Sequence, residues 1–245
     1  MFLGALVNFF ASGGLVYAFR ESTLVGKGVL ACLLIASLFS WSVMITKFIA
    51  VRRARRETDR FLKKFRSNRK PLRLYQARER FEGSPAFAVY LAGCQELTYH
   101  LLGSDEIDET FSSRLAEAGK VPTTALSAIR SAMEREVGIQ GLALEDQMIL
   151  LATAVSGAPF LGLLGTVWGV MDTFSGVAMA GQANLAAMAP GVSGALITTV
   201  FGLLVAIPAM FGYNFLVTTV RGLTIEMDNF AAELASAFEH RYQDS

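Results

Sequence analysis

Four polar side chains lie in an otherwise apolar part of the chain, and they are the candidates for chemistry. Between residues 148 and 220, Asp172 is the one side chain that carries a charge at neutral pH. Thr166, Thr198 and Thr199 add hydroxyl groups, which can both donate and accept hydrogen bonds. Ionisable and hydroxylated groups at membrane depth are typical of a path for protons or ions.

Each of these groups also has a purely structural interpretation. A threonine in a membrane helix commonly donates to the carbonyl four residues earlier and does nothing else. Asp172 lies eight residues before Ala180, which is about 12 Å by helical rise, so an overshooting helix would place it among the outer headgroups. The sequence alone leaves both interpretations open.

Three apolar segments must position these groups. Residues 148–180 and 185–219 are separated only by a short polar break at residues 181–184, and residues 28–47 form an earlier segment bounded by two lysines. Each segment is long enough for the ~20 residues that a membrane-spanning helix needs. The sequence therefore predicts an all-α membrane protein with three transmembrane helices.

Small residues in the second span indicate how it packs. Gly162, Gly165 and Gly169 recur at intervals of three and four, which predicts a smooth stripe in close contact with a neighbouring helix. Pro159 and Pro208 each leave a carbonyl without its helical partner. We expect them to kink the second and third spans.

The basic residues predict the orientation. Arg52, Arg53, Arg55 and Arg56 follow the first span directly, and the positive-inside rule puts that face in the cytoplasm. The N-terminus is then periplasmic and the C-terminus cytoplasmic. A basic run can also bind nucleic acid, but its position against a membrane helix and the formal net charge of +1 favour topology.

The remaining regions are predicted to be helical. Residues 1–20 are expected to form an interfacial helix on the membrane surface, with a fourth span as the alternative. Residues 52–147 form a cytoplasmic helical region, whose last helix from Thr123 is expected to run straight into the second span. Residues 221–245 form a cytoplasmic amphipathic helix. Long helical extensions below the membrane follow.

Several function classes find no support in the sequence. It has no Gly-rich phosphate loop, no His-Glu-x-x-His motif and no Cys/His cluster. Cys32 lies in an apolar segment and Cys94 in a polar region, so neither a disulfide nor a metal site is expected. We predict a protein without a cofactor that is not an enzyme.

Two stretches resemble the signatures of a known membrane family. Residues 158–171, Ala-Pro-Phe-Leu-Gly-Leu-Leu-Gly-Thr-Val-Trp-Gly-Val-Met, are similar to the second-span signature of the TolQ/ExbB branch of the MotA/TolQ/ExbB proton-channel family. Residues 189–199, followed by Gly202-Leu203 and 206–209, resemble its third-span signature. Ser40-Trp41 with the arginines after it, and Asp228-Asn229-Phe230 near the end, extend the resemblance.

The resemblance implies an architecture and a mechanism. Five copies of the chain would form a ring around two copies of a single-span TolR/ExbD-like partner that carries a membrane aspartate. Ion flow, of H⁺ or Na⁺, would drive one component to rotate within the other, as the stator of a motor in the bacterial inner membrane. The ring-lining threonines of the family fall on Thr166 and Thr199.

One departure from the family pattern leaves two hypotheses. The family usually has a glutamate where this chain has Gly194. The departure favours a specialised relative, for example a motor for gliding or surface transport. The first hypothesis is a proton-channel stator subunit, and the second is a non-conducting membrane scaffold of the same ring fold. If the threonines are level, helical rise places Asp172 within about 2 Å of Gly194 in depth, so Asp172 is a candidate replacement carboxylate.

Overall fold

The computed structural model describes residues 22–68, 70–103, 111–181 and 184–242. Regular secondary structure in these ranges is α-helical and forms seven helices. They are α1 Leu24–Arg66, α2 Arg73–Gln76, α3 Pro85–Leu102, α4 Phe111–Glu117, α5 Thr123–Glu145, α6 Met148–Ala180 and α7 Leu185–Tyr242. The interfacial helix expected for residues 1–20 lies outside the described residues.

Three of these helices are long and apolar enough to cross a membrane, namely α1, α6 and α7. This confirms the expected all-helical class with three candidate spans. Helix α1 has 43 residues and α7 has 58, so both continue well beyond the ~20 residues that a bilayer core requires. The amphipathic segment after residue 220 is therefore part of α7 and not a separate helix.

The expected continuous helix from Thr123 into the second span is wrong. Helix α5 ends at Glu145, and Asp146 closes it by donating its backbone N–H to the carbonyl of Leu142 at 3.0 Å. Gln147 then adopts a left-handed backbone with φ of 61° before α6 begins. Glutamate and glutamine are good helix formers, so neither hydrophobic spacing nor composition indicated this break.

The chain divides into two compact units, which we call the membrane unit and the polar unit. The membrane unit comprises residues 1–46 and 147–215, and the polar unit comprises residues 47–146 and 216–245. In the membrane unit, the described residues that form one apolar cluster are Val29, Leu33, Ala158, Val205 and Ala206. That cluster packs the start of α1 against α6 and α7.

The polar unit has an aromatic core around Phe61, which is fully buried. Its ring centroid lies 5.3 to 5.4 Å from those of Phe87, Tyr90 and Phe230. Tilted and edge-on ring pairs at such distances add to the free energy gained from burial. The core therefore ties α1 and α3 to the end of α7.

Hydrogen bonds hold the polar unit's second buried aromatic residue in place. The hydroxyl of Tyr90 donates to the carbonyl of Pro71 at 2.8 Å and accepts from the backbone N–H of Tyr75 at 2.9 Å. Burial is the main reason that the pKa of Tyr90 is raised well above its ordinary value. The phenol therefore remains a neutral structural donor.

Candidate functional site

Helices α6 and α7 run antiparallel and approach each other most closely at Gly162. A Cβ atom added to Gly162 would lie 2.7 Å from the carbonyl oxygen of Thr198 and 2.9 Å from the Cα atom of Thr199. Those atoms belong to the backbone and cannot turn aside. Only glycine lets the two helix backbones approach this closely.

The close contact continues along both helices. An added Cβ on Gly165 would meet the Thr198 side chain, with its Oγ1 atom at 2.6 Å, and one on Gly169 would lie 2.7 Å from the Cβ atom of Ala195. On α7, a Cβ added to Gly202 would lie 2.6 Å from the Ala158 carbonyl oxygen. Glycines from both helices therefore line one packed seam.

Three threonine hydroxyls meet within this seam. The Oγ1 atoms of Thr166 and Thr199 are in direct hydrogen-bond contact, and the Oγ1 atom of Thr198 lies 3.3 Å from that of Thr166. The three candidate threonines, 29 to 33 residues apart in pairing terms along the chain, thus form one cluster, which we call the threonine cluster.

Backbone carbonyls satisfy the donors of the threonine cluster. Thr198 is fully buried and donates to the carbonyl of Gly162 at 2.8 Å or of Ala195 at 2.7 Å. Thr166 can donate to its own i−4 carbonyl, Gly162, at 3.1 Å, and also across the seam to Ala195 at 3.3 Å. The hydroxyls therefore join two helices, in addition to bonding within one.

Thr166 and Thr199 differ from Thr198 in their exposure. Both are half-buried, whereas Thr198 is sealed inside the seam. Because a hydroxyl can donate one hydrogen bond and accept two, the Thr166–Thr199 pair can exchange a hydrogen bond with a group outside this chain. Thr198 has no such access and serves to fix the pair.

Asp172 does not join the threonine cluster. It lies on α6 six residues beyond Thr166, about 9 Å further along the helix, and its side chain is exposed. The close approach of Gly169 to Ala195 sets the register between the helices, and it puts Asp172 within about 3 Å of Gly194 in depth. The two residues are close in level, while Asp172 points to the surface of the chain.

Gly194 has a partner that the sequence did not indicate. The residue is buried, and its carbonyl accepts a hydrogen bond from the hydroxyl of Ser22 at 3.1 Å. Ser22 is itself buried, just before α1 begins. The two residues are 172 positions apart, so no local pattern links them.

The prolines in the spans do not interrupt the helices. Pro159 lies inside α6 and Pro208 inside α7, and both helices run through them. The carbonyl of Ala158, next to Pro159, packs against Gly202. The expected kinks remain predictions.

Titratable clusters offer no alternative site in the part of the chain that the structure describes. No three His, Cys, Asp or Glu side chains lie together there in a way that could hold a metal ion. Cys94 is fully buried, which raises its pKa well above the ordinary value, and such a thiol is unreactive in the folded protein.

Comparisons with known proteins agree with the geometry of the spans. The family model of the MotA/TolQ/ExbB proton channel family matches residues 103–229. The chain is 33% identical to the Tol-Pal system protein TolQ of Pseudomonas aeruginosa over 79% of each chain. It is 30% identical to the TolQ of Haemophilus influenzae over 89% of this chain and 90% of that protein.

ExbB proteins are similar over a comparable length. The biopolymer transport protein ExbB of Salmonella typhimurium is 30% identical over 88% of this chain and 82% of its own. These relatives energise transport and are not enzymes by name. The family model, the two kinds of relative and the three apolar helices together show that the chain belongs to the TolQ/ExbB branch of the MotA/TolQ/ExbB proton channel family.

Proposed function

We propose that this chain is the pore-forming stator subunit of a proton-driven inner-membrane motor, which converts ion-motive force into mechanical work on the cell envelope. The observation that carries the proposal is the threonine cluster on α6 and α7. Thr166 and Thr199 place two hydrogen-bonding groups side by side at one level of the spans. Hydroxyls at that depth can stabilise a carboxyl group of a partner in either protonation state.

The proposed partner is a single-span TolR/ExbD-like protein with a carboxylate at membrane depth. Two copies would lie inside a ring of five copies of this chain, with α6 and α7 lining the pore and α1 facing lipid. Large apolar side chains of α1 are exposed on the isolated chain, among them Leu38 at 73% and Phe39 at 66%. Such side chains suit contact with acyl chains.

The proposed orientation puts the polar unit in the cytoplasm. Arg52, Arg53, Arg55 and Arg56 belong to α1 just after its apolar part, and basic residues are enriched on the cytoplasmic side of membrane helices. The loop after α6 and the N-terminus are then periplasmic, and α7 ends in the cytoplasm.

Asp172 is the proposed substitute for the glutamate that the family usually carries at the position of Gly194. Its depth near Gly194 and its exposed side chain support a role in passing protons to the partner. Because Asp172 and Thr166 are six residues apart, about 600° of helix turn, they do not share a face. Asp172 would therefore act at the edge of the pore or between subunits.

A non-conducting scaffold is the second candidate function, and Gly194 favours it. At this position a buried glycine, whose carbonyl binds Ser22, stands where a titratable group is usual. A ring of this kind would hold its partner in the membrane without moving ions.

The deciding experiment is co-expression of the chain with a single-span protein that carries a membrane aspartate. Native mass spectrometry gives the stoichiometry, and proteoliposomes with a pH-sensitive or Na⁺-sensitive dye give the ion flux. We expect a 5:2 complex with H⁺ flux that Thr166→Val and Thr199→Val abolish. Thr153→Val is the matched control, because Thr153 is exposed on α6 and bonds only its own helix, to Ile149. A 5:2 complex without flux would establish the scaffold.

A further inference from the structure

A group of arginines on α1 forms a second candidate site, separate from the threonine cluster. Arg52, Arg55 and Arg56 are spaced three and four residues apart and are all exposed, so their side chains neighbour one another on the helix surface. One turn earlier on the same face lie Phe48 and Ile49, also exposed. The helix thus changes within two turns from apolar to cationic.

Intramolecular ion pairs do not use these three arginines. In the described part of α1, the ion pairs are Arg60 with Glu57 at 2.8 Å, Lys64 with Glu79 at 2.6 Å and Arg66 with Glu233 at 2.8 Å. Arg53, between them in sequence, turns toward Gly83, where an added Cβ would lie 3.4 Å from its Nε atom. The other arginines of this stretch therefore have partners of their own.

The three arginines border a shallow depression of about 910 Å³ in the surface of the polar unit. It is lined by five arginines and two carboxylates, Glu57 and Asp59, together with Phe48 and Ile49. The guanidinium of Arg52 lies 5.6 Å above the Phe48 ring, a cation–π contact that orients it. The depression is strongly positive, with an apolar edge toward the membrane-spanning part of α1.

We propose that Arg52, Arg55 and Arg56 bind the phosphate of an anionic phospholipid whose acyl chains lie along Phe48 and Ile49. Guanidinium groups suit a phosphodiester, because their paired N–H donors match two phosphate oxygens. The apolar edge selects a lipid over a free phosphate, since only a lipid gains from contact with Phe48 and Ile49. Basic clusters directly next to a membrane span attract anionic headgroups.

Asp59 limits the site on its far side. It lies on the next turn after Arg55 and Arg56 and is exposed, so its carboxylate repels a phosphate that is placed further from the membrane. The proposal depends only on insertion of α1 in a membrane and not on ion conduction. Its failure would leave the proposed function untouched.

The test uses the full chain, purified in detergent, stripped of lipid and titrated with equal amounts of dioleoyl-phosphatidylglycerol and dioleoyl-phosphatidylcholine. Native mass spectrometry counts the lipids retained. We expect the wild-type chain to retain phosphatidylglycerol over phosphatidylcholine by roughly tenfold, and the triple variant R52Q/R55Q/R56Q to lose this preference. The matched control K63Q/R73Q/R135Q removes three exposed cations elsewhere in the polar unit and should keep it.

Further arms exclude the rivals. R52K/R55K/R56K keeps the charge and should keep most of the preference, and the single variants R52Q and R56Q should each lower it if the triple variant does not fold. Equal phosphatidylglycerol retention by R52Q/R55Q/R56Q and wild type would overturn the proposal. Full competition by glycerol phosphate would also overturn it. So would a change in oligomer mass with lipid retention intact, which would make the arginines a contact between copies.

Discussion

The hydroxyl of Thr198 on α7 donates to the carbonyl of Gly162 on α6 across 2.8 Å, inside a contact that a single methyl group would disrupt. The same glycine carbonyl also lies within reach of Thr166 and Thr199, at 3.1 and 3.2 Å. The absence of a side chain at Gly162 thus allows both the close approach of the helices and the gathering of the hydroxyls. Packing and candidate chemistry depend on the same residue.

Replacing Thr198 by valine should destabilise the membrane unit by about 1 kcal/mol. Valine keeps the shape but cannot donate to Gly162 or Ala195, and such bonds between membrane helices contribute roughly 0.6 to 1.7 kcal/mol. A thermal melt of the full chain in detergent measures the change. Thr153→Val removes an exposed hydroxyl that bonds only Ile149 and should have little effect; equal losses in both variants would show that the cross-helix bond is not stabilising.

Gly162→Ala should be far more damaging than Gly157→Ala. The added Cβ on residue 162 would lie 2.7 Å from a backbone oxygen of α7, while at Gly157 nothing lies within 4 Å. Overpacking of this kind costs about 1–3 kcal/mol, whereas alanine in an open helical position is neutral or favourable. Melting temperature and yield of folded protein distinguish the two, and a tolerated Gly162→Ala would mean that the helices can separate at no cost.

Asp172→Asn tests the proposed substitute carboxylate. The change is nearly isosteric and removes only the titratable charge, and Asp172 is exposed, so the fold should persist. We expect ion flux in proteoliposomes with the partner to fall at least about tenfold, the effect typical of losing a positioned proton-transfer group. Unchanged flux would assign proton transfer to the partner's carboxylate alone.

Cys94 should react with alkylating reagents only after the polar unit opens. The thiol is fully buried, and burial raises its pKa, so both access and thiolate formation are suppressed. In a Cys32→Ser background at pH 8, we expect alkylation roughly a hundredfold or more slower in the native chain than in denaturant. Comparable rates in both conditions would contradict the burial of α3.

The ion pair of Arg66 with Glu233 should contribute little and show no pH dependence near neutrality. The guanidinium donates to both carboxylate oxygens, at 2.8 and 3.2 Å, and this bonding with Glu233 is the main cause of the raised pKa of Arg66. A raised pKa stabilises the fold below the ordinary value, and this gain is lost only as pH passes the raised one. Both lie far above pH 9.

Glu233→Gln measures that contribution. Because both side chains are largely exposed, at 57% and 38%, the loss should be under about 1 kcal/mol and the same at pH 6 and pH 9. Chemical denaturation at the two pH values gives the comparison. A loss that differs between them would require another titrating partner.

Hydropathy in the sequence was enough to predict the class of this protein. Long charge-free segments must be helices in a membrane, because lipid offers no partner for an exposed backbone, and α1, α6 and α7 are such helices. The glycine spacing in α6 likewise predicted a smooth helix face, and the signature residues predicted the family. These are properties of neighbouring residues, which the sequence displays directly.

Only the tertiary structure decided which groups meet. The break at Gln147 depends on a left-handed backbone at a residue that favours helices, and the bond from Ser22 to Gly194 joins positions 172 apart. The threonine cluster requires one particular register of α6 against α7, set by Gly162 and Gly169 facing Thr198 and Ala195. Register depends on how whole side-chain surfaces interlock, and a shift of one residue along either helix would turn every hydroxyl by about 100°.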